Sequence, residues 1–164
     1  MTASSARRSS TAVLLAAGLG TRMRSSLPKA LQPLAGQPML SHLIASAASV
    51  FDRVVVVIGP DMDELAHCAA PHATVIQHDR LGTAHAALQA ESLFGDGDVA
   101  VLYADNPLIT PETLRRLLDT RRSATAPTDL ALLAMRPANP GRYGRVLLNA
   151  DGTVEKIVEW SDAT

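Results

Sequence analysis

Short runs of apolar residues alternate along the chain with longer segments in which apolar residues recur every three or four positions. The short runs lack the polar alternation of a half-exposed strand, so they predict strands that are buried on both faces. The longer segments predict amphipathic helices that cover such a sheet. The predicted strands are residues 12–17, 53–58, 74–77, 99–103 and 130–135, and the predicted helices are residues 39–50, 61–70, 83–94 and 111–122.

Two further strands, 146–149 and 154–159, flank Asp151 and Gly152, a dipeptide that strongly favours a hairpin. The order βαβαβαβαβ followed by a hairpin predicts an α/β fold with a doubly wound, mostly parallel sheet. Ligands of such sheets bind beyond the carboxyl ends of the strands. Site residues are therefore expected at or just after Ala17, Ile58, Gln77 and Tyr103.

The composition narrows the function classes. The chain has 164 residues, 15 basic and 16 acidic, and only 3% aromatics, which predicts an aliphatic core. A net charge of -1 gives no support for binding to nucleic acid or to a membrane surface. No apolar run approaches the roughly 20 residues of a membrane span. The single Cys68 excludes an intrachain disulfide and favours the reducing cytoplasm. Residues 1–10, rich in Ser, Ala and Arg, are expected to be a disordered tail before one domain, 11–164.

A glycine-rich loop follows the first predicted strand. Gly18 and Gly20 let the backbone approach a ligand and turn its N–H groups toward phosphate oxygens. Arg22 and Lys29 add a planar guanidinium and a compact charge. The loop is neither a Walker A motif nor a dinucleotide fingerprint, because Met23 stands where the third glycine would be. The residues alone leave two interpretations open, a phosphate cradle and an ordinary turn with solvated cations.

Asp105 follows the predicted strand 99–103 and is either a magnesium ligand or the cap of a turn before Pro107. None of the five histidines has a zinc-ligand spacing, and His85 is expected to be structural. The sequence contains no Ser-His-Asp set at a recognisable spacing.

The loop and four later blocks together resemble the signature of sugar-1-phosphate nucleotidyltransferases. More closely, the chain resembles the uridyltransferase domain of the bifunctional bacterial N-acetylglucosamine-1-phosphate uridyltransferase/glucosamine-1-phosphate acetyltransferase. The blocks occur in the family's order and cover residues 12–164. They are LAAGxGTRM at 15–23 with LPK at 27–29, Gln77 with LGTAHA at 81–86, LYADxPLI at 102–109, GxYGR at 141–145 and IVExxDAT at 157–164.

The resemblance implies a Rossmann-like nucleotide-diphospho-sugar transferase fold and a cytoplasmic, Mg²⁺-dependent enzyme of cell-wall precursor synthesis. Its substrates would be UTP and N-acetylglucosamine-1-phosphate, and its products UDP-N-acetylglucosamine and pyrophosphate. The attacking phosphate is already anionic at pH 7, since its second pKa is about 6, so no general base is required. Cations and a metal must instead hold two polyanions in line and neutralise the developing charge.

The resemblance also implies roles for individual residues. Arg22, Lys29 and Asp105 would be catalytic, the first two on the triphosphate and Asp105 on Mg²⁺. A side-chain amide offers a donor and an acceptor that match the edge of uracil. The implied substrate-binding residues are Leu15, Ala16, Ala17, Gly18 and Lys29 in the loop, Gln77, Gly82 and Thr83 at the base, Tyr103, Ala104 and Asp105 at the nucleotide sugar, and Gly144 and Glu159 at the acetamido sugar. The alternatives are a polar strand end for Gln77, an N-cap for Thr83, a tight turn for Gly144 and an exposed acid for Glu159.

The sequence departs from the family at Ala104, where glycine is usual, at Asn106, and at Gln32, where histidine is common. The family's domain continues past residue 164 and supplies there an Asn as second metal ligand, and the β-helix acetyltransferase domain is absent. The chain is therefore expected to be a C-terminally truncated portion or a short natural relative, with weak metal binding and inefficient turnover. Two other functions stay open: a molybdenum-cofactor guanylyltransferase or cytidylyltransferase, and a nucleotide-binding module without turnover. Self-association also stays open.

Overall fold

The computed structural model describes residues 8–18, 20, 23, 25, 27–122 and 129–162, which form two compact units divided between residues 128 and 129. The sequence predicts a single domain over residues 11–164, whereas the structure has these two units. The first unit contains β1 Ser10–Leu15, β2 Pro33–Leu34, β3 Gln37–Pro38, α1 Met39–Ala48, β4 Arg53–Ile58, α2 Asp63–Ala69, β5 Ala73–Ile76, α3 Thr83–Leu88, β6 Asp98–Tyr103 and α4 Pro111–Arg122. The second unit contains β7 Arg145–Leu148 and β8 Val154–Val158. Short 3-10 turns lie at Lys29–Leu31, Glu91–Leu93 and Trp160–Asp162.

The first unit is built on a four-stranded parallel sheet in the order β5-β4-β1-β6. The central strand β1 pairs Leu15 with Val57 of β4 on one side and with Tyr103 of β6 on the other. The carboxyl ends of these three strands therefore meet at one edge. The α/β fold with a mainly parallel sheet is confirmed.

Both faces of the sheet are buried at the central strands β1 and β4, as their unbroken apolar runs predict. The prediction of a strand buried on both faces is wrong for the edge strand β6, where Val99, Val101 and Tyr103 are exposed because the core on that face is formed by β1, β4 and α3. On one face Leu14 packs with Leu40, Leu43, Leu65 and Leu114, which α1, α2 and α4 contribute. On the opposite face the core consists of residues from β1, β4 and α3 with Ala90, namely Val13, Val55, Val57, Ala86 and Ala90. Among the described residues the buried hydrophobic core is aliphatic apart from Phe51 and Met62, in agreement with the aromatic-poor composition.

Most predicted elements are present, with differences at their ends. Strand β1 begins at Ser10, inside the expected tail, and Ser10 is buried with its hydroxyl 3.0 Å from Asp52 Oδ2. Residues 1–7, the rest of that tail, lie outside the described residues. The predicted helix 83–94 ends at Leu88, and a separate 3-10 turn follows because the chain bends at the buried Ala90.

The predicted strand at 130–135 is wrong. The segment has no regular structure, and Leu130, Leu133 and Met135 are exposed. Its apolar content suggested a strand, but Leu, Ala and Met lack the β-branched side chains that favour an extended backbone. A strand also needs a partner for its backbone groups, which local hydrophobicity does not supply.

The second unit contains the predicted hairpin. Strands β7 and β8 are antiparallel, with Arg145 opposite Val158, and Gly152 has a positive φ of 83° in the connecting turn. Thr153 donates to Asp151 Oδ1 from its hydroxyl at 2.6 Å and from its backbone N–H at 2.9 Å. These hydrogen bonds, led by the hydroxyl, lower the pKa of Asp151 because they favour the charged carboxylate.

No helix among the described residues is long and apolar enough to span a membrane. Cys68 is a free thiol on α2, partly buried, with its Sγ 3.3 Å from Ser41 Oγ.

An ion pair joins the end of α4 to the start of β6. Asp98 is a nearly buried carboxylate whose Oδ2 accepts from Arg122 Nε at 2.7 Å, while Arg121 Nε lies 3.9 Å from its other oxygen. Arg122→Ala is expected to lower the free energy of unfolding by about 2 kcal/mol, since it leaves a buried carboxylate poorly compensated. Urea denaturation measures this, and Arg121→Ala, the matched control, should cost less than about 1 kcal/mol. Equal losses in the two variants would contradict this account.

Candidate functional site

A cavity of about 310 Å³ opens at the carboxyl edge of the parallel sheet in the first unit. The residues around it come from the ends of β1 and β6, the segment after β5, the 3-10 turn at Lys29 and the start of α3. They are Leu15, Ala16, Ala17, Gly18, Lys29, Ala30, Gln77, Arg80, Gly82, Thr83, Ala86, Tyr103, Ala104 and Asp105. The lining includes every sequence-predicted site residue of the first unit whose placement the structure describes. Arg22 lies outside the described residues.

Hydrogen bonds beyond the strand ends hold the walls of this cavity. Ala16 N–H donates to Val57 O at 2.8 Å, and Ala104 N–H donates to Leu15 O at 3.1 Å. Both alanines are therefore fixed to the sheet although they lie outside the strands. Ala104 is also buried, so the methyl group that replaces the usual glycine packs in the core beside the cavity.

The two ends of the glycine-rich loop meet at Gly20 and Lys29. Gly20 has a φ of +62°, and a Cβ built there would lie 2.8 Å from Lys29 Cβ and 3.3 Å from its Cα. Only glycine combines this backbone conformation with so close an approach. Gln32 secures the middle of the loop, because its amide donates to Ser25 Oγ at 2.8 Å and to Leu27 O at 3.1 Å. This side chain stands where histidine is common in the family.

Lys29 and Asp105 form an ion pair at the cavity, with 2.7 Å between Nζ and Oδ2. The two side chains are 42% and 40% exposed, so solvent and a ligand can both reach them. No backbone N–H of the described residues donates to the Asp105 carboxylate, which disfavours its interpretation as the cap of the turn before Pro107. The sheet thus brings together a cation and a carboxylate that are far apart in sequence.

Gln77 directly follows β5 and is only 4% exposed. Its backbone N–H donates to Ile58 O at 2.8 Å. Its side-chain Nε2 lies 3.2 Å from His85 Nδ1 and 3.4 Å from Gly82 O. Gly82 has a φ of 103°, a conformation that favours glycine, and this turn leads directly into α3.

Sequence reasoning missed Arg80 in this lining, together with Ala30 and Ala86. Arg80 Nε donates to Ala17 O at 3.2 Å, and its guanidinium lies so close to Gly59 that a Cβ there would be 2.9 Å from Nη2. Its signal in the sequence was its position between the end of a strand and the Gly82 turn, the region where ligands of such sheets bind.

Gly144 and Glu159, the candidates for the sugar, belong to the second unit. A Cβ on Gly144 would lie 3.3 Å from Val158 O and 3.6 Å from Glu159 Oε2, so the two residues are neighbours. Close by in sequence, the Arg142 guanidinium lies 4.9 Å from the centroid of the Trp160 ring.

The described residues contain no group of three or more His, Cys, Asp or Glu side chains that could enclose a metal ion. Among the described residues that line the cavity, Asp105 alone carries a carboxylate. This donor set fits Mg²⁺, which binds through one or two carboxylates and takes its remaining ligands from substrate phosphates and water.

Known proteins resemble the chain in sequence. The bifunctional protein GlmU of Gluconacetobacter diazotrophicus is 62% identical over 161 residues, which cover 97% of this chain and 35% of that protein. GlmU of Gluconobacter oxydans is 64% identical over 154 residues, which cover 94% of this chain and 34% of that protein. The resemblance seen in the sequence blocks is thereby confirmed. The chain spans about a third of the length of the curated relatives it matches.

A solved structure agrees on the fold. The CMP:2-keto-3-deoxy-manno-octonic acid synthetase in complex with CTP matches with a TM-score of 0.67 and 23% identity, over 92% of this chain and 64% of that one. The family model of the MobA-like NTP transferase domain matches residues 12–163, a span that includes parts of both units. The chain therefore belongs to the MobA-like NTP transferase family of nucleotidyltransferases.

Proposed function

We propose that the chain carries the uridyltransferase function, in which N-acetylglucosamine-1-phosphate attacks the α-phosphate of UTP to form UDP-N-acetylglucosamine and pyrophosphate. The observation that carries the proposal is the Lys29–Asp105 pair, which lines the same cavity as the buried amide of Gln77. One cavity therefore offers groups for the phosphates, for a metal and for a base. The 62% and 64% identities to two GlmU proteins support uridine nucleotides over other members of the family.

The base would bind at Gln77. Its Nε2 is directed at Gly82 O and His85 Nδ1, which leaves Oε1 to accept a hydrogen bond. Uracil presents an N–H at its N3 position, whereas neutral cytosine has an unprotonated acceptor there. The Gly82–Thr83 backbone would provide the complementary donor to a uracil carbonyl.

The phosphates would bind along the glycine-rich loop, from Leu15 to Gly18, and at Lys29. Lys29 and Arg22 would neutralise the leaving pyrophosphate and the phosphate under attack. Arg80 would hold the Ala17 carbonyl turned away from the anion through its 3.2 Å hydrogen bond. The backbone of the loop could then face the phosphates with its N–H groups.

Asp105 would hold Mg²⁺ together with phosphate oxygens. A Mg²⁺ ion held there would supply charge neutralisation for the phosphates. Asp105 also orients Lys29, since the 2.7 Å pair keeps the ammonium at the cavity when no nucleotide is bound. None of these side chains has to act as a general base, because the nucleophile is a phosphate already anionic at neutral pH.

The remaining candidates follow from the resemblance. Tyr103 and Ala104 would line the nucleotide-sugar site, and Gly144 and Glu159 would contact the acetamido sugar, with glycine admitting a close approach and the carboxylate accepting from hydroxyl groups. The setting would be the cytoplasm, in the supply of cell-wall precursors.

The experiment is pyrophosphorolysis of UDP-N-acetylglucosamine by the 164-residue chain with Mg²⁺, combined with measurement of nucleotide-sugar binding. Turnover supports the proposal. Binding without turnover would instead indicate a nucleotide-binding module. The absence of both binding and turnover would contradict the proposal. The chain would then be another nucleotidyltransferase of the family, such as a molybdenum-cofactor guanylyltransferase or cytidylyltransferase.

Replacing the amide oxygen of Gln77 tests the base contact separately. Gln77→Leu should weaken uridine nucleotide binding by about tenfold or more, because a buried site loses the acceptor for the base N–H. The dissociation constant of UTP, measured by competition, reports this. His78→Leu at the neighbouring exposed position is the control and should bind UTP normally. Normal binding by Gln77→Leu would contradict the assignment.

A further inference from the structure

His85 lies behind the cavity and contacts the side chain of Gln77, one of the residues that line it. The imidazole is half-buried on α3, with Nδ1 3.2 Å from Gln77 Nε2 and Nε2 3.3 Å from Gln89 Nε2. His85 itself is absent from the cavity lining, whereas Gln77 lines it. The histidine is therefore placed to act on the base-binding amide without touching a ligand.

The hydrogen-bond inventory determines how the Gln77 amide is oriented. Gly82 O can only accept, so the amide atom 3.4 Å from it must be the nitrogen. The second hydrogen of that nitrogen is directed at His85 Nδ1, which accepts it when the imidazole carries its proton on Nε2.

The contact with Gln89 favours the opposite tautomer, since an amide nitrogen can only donate to His85 Nε2. The difference in burial between the two amides decides between the two tautomers of His85. Gln77 is 4% exposed and would lose a partner that water cannot replace. Gln89 is half-exposed and already donates to His85 O at 3.0 Å.

With its nitrogen held on two acceptors, Gln77 has only Oε1 left for a ligand. No donor from the described part of the chain reaches this oxygen. The described residues also contain no buried side-chain oxygen or nitrogen without a partner, so Oε1 must be open to the cavity that Gln77 lines. The Gln77 side chain therefore presents an acceptor and not a donor to the base.

We propose that His85 is a positioning residue that fixes the Gln77 amide with its oxygen toward the base, and so selects uracil over cytosine. This inference rests on the proposed uridine nucleotide site. Without His85, Gly82 O alone holds the amide through a long contact, and the amide can turn over. The Gln77 nitrogen then faces the base and can donate to cytosine N3. In the wild type, Gln77 Oε1 faces this position and repels cytosine N3, because both atoms are acceptors.

The test compares dissociation constants of UTP and CTP, both with Mg²⁺, for the wild type and three variants. His85→Leu keeps a helix-compatible side chain but has no acceptor, and it should lower the preference for UTP by about tenfold, the value of one hydrogen bond. His85→Asn places Oδ1 where Nδ1 was and should keep most of the preference. His78→Leu, at an exposed histidine outside the cavity lining, should keep all of it.

A purely structural role for His85 would change stability and both affinities alike, and leave the ratio unchanged. An unchanged ratio in His85→Leu therefore overturns the inference but not the proposed function. A wild type without preference for UTP overturns the proposed function and this inference with it. Nitrogen-15 NMR of the wild-type imidazole gives an answer even if a variant fails to fold: an Nε2–H tautomer supports the inference, and an Nδ1–H tautomer overturns it.

Discussion

Asp105→Asn is expected to reduce turnover by about a thousandfold, a loss typical of removing one electrostatic stabiliser of a transition state. Asn has the shape of Asp and can still accept a hydrogen bond from Lys29, so the substitution removes the charge and little else. The ion pair is 40% exposed on the Asp105 side, and the free energy of unfolding should change by less than about 1 kcal/mol. Pyrophosphorolysis rates and urea denaturation measure the two quantities.

The proposed metal role of Asp105 leads to a second expected result, which does not depend on turnover. Mg²⁺ should strengthen nucleotide binding by the wild type more than by Asp105→Asn, because in the proposed site the carboxylate would bind the ion together with the phosphates. Asp119→Asn, at an exposed position of α4, is the matched control and should retain the wild-type Mg²⁺ dependence. If Asp105→Asn retained wild-type turnover and the full Mg²⁺ effect, Asp105 would have no metal role.

Much of this architecture could be predicted because its signals are local. The valine-rich run at 53–58 and the Thr110-Pro111 helix start define β4 and α4 with the observed bounds. The carboxyl-end rule then directed attention to Gln77, Tyr103 and Asp105, which do line one cavity. These positions follow from the order of strands and helices, without any knowledge of side-chain contacts.

What could not be predicted depends on contacts between distant segments. The Lys29–Asp105 pair depends on Gly20 packing against Lys29 and on β6 lying beside β1. The contact of Arg80 with Ala17 O likewise joins two loops that only the folded sheet brings together. The segment 130–135 shows the reverse error, in which an apolar run was taken as a strand although nothing local could supply its partner.

His85 illustrates a third limit. The sequence showed a histidine without a metal spacing, and a structural role was the simplest interpretation. Its tautomer depends on its contacts with the amides of Gln77 and Gln89. The contact with Gln77 has the larger influence because Gln77 is buried. Neither the contact nor the burial is visible in the spacing of the residues.

Lys29→Met is expected to lower kcat by about a hundredfold to a thousandfold, because in the proposed reaction the ammonium would stabilise negative charge that develops on the departing pyrophosphate. Met retains the Cβ that contacts Gly20 and an apolar side chain of similar length, so the loop should keep its course. The free energy of unfolding should fall by less than about 1 kcal/mol, since the lost ion pair is largely solvated. Lys156→Met, at the other lysine of the chain and on β8, is the matched control.

The double variant Lys29→Met/Asp105→Asn separates a shared function from two independent ones. If both residues act on the same phosphates, the double variant should be only slightly less active than the less active of the two single variants, because either substitution already disables the site. If the residues merely form a surface pair, neither single substitution should reduce turnover and all three variants should unfold at similar urea concentrations. Fully additive losses in log kcat would show that Lys29 and Asp105 act independently, and that their 2.7 Å contact is not part of the catalytic arrangement.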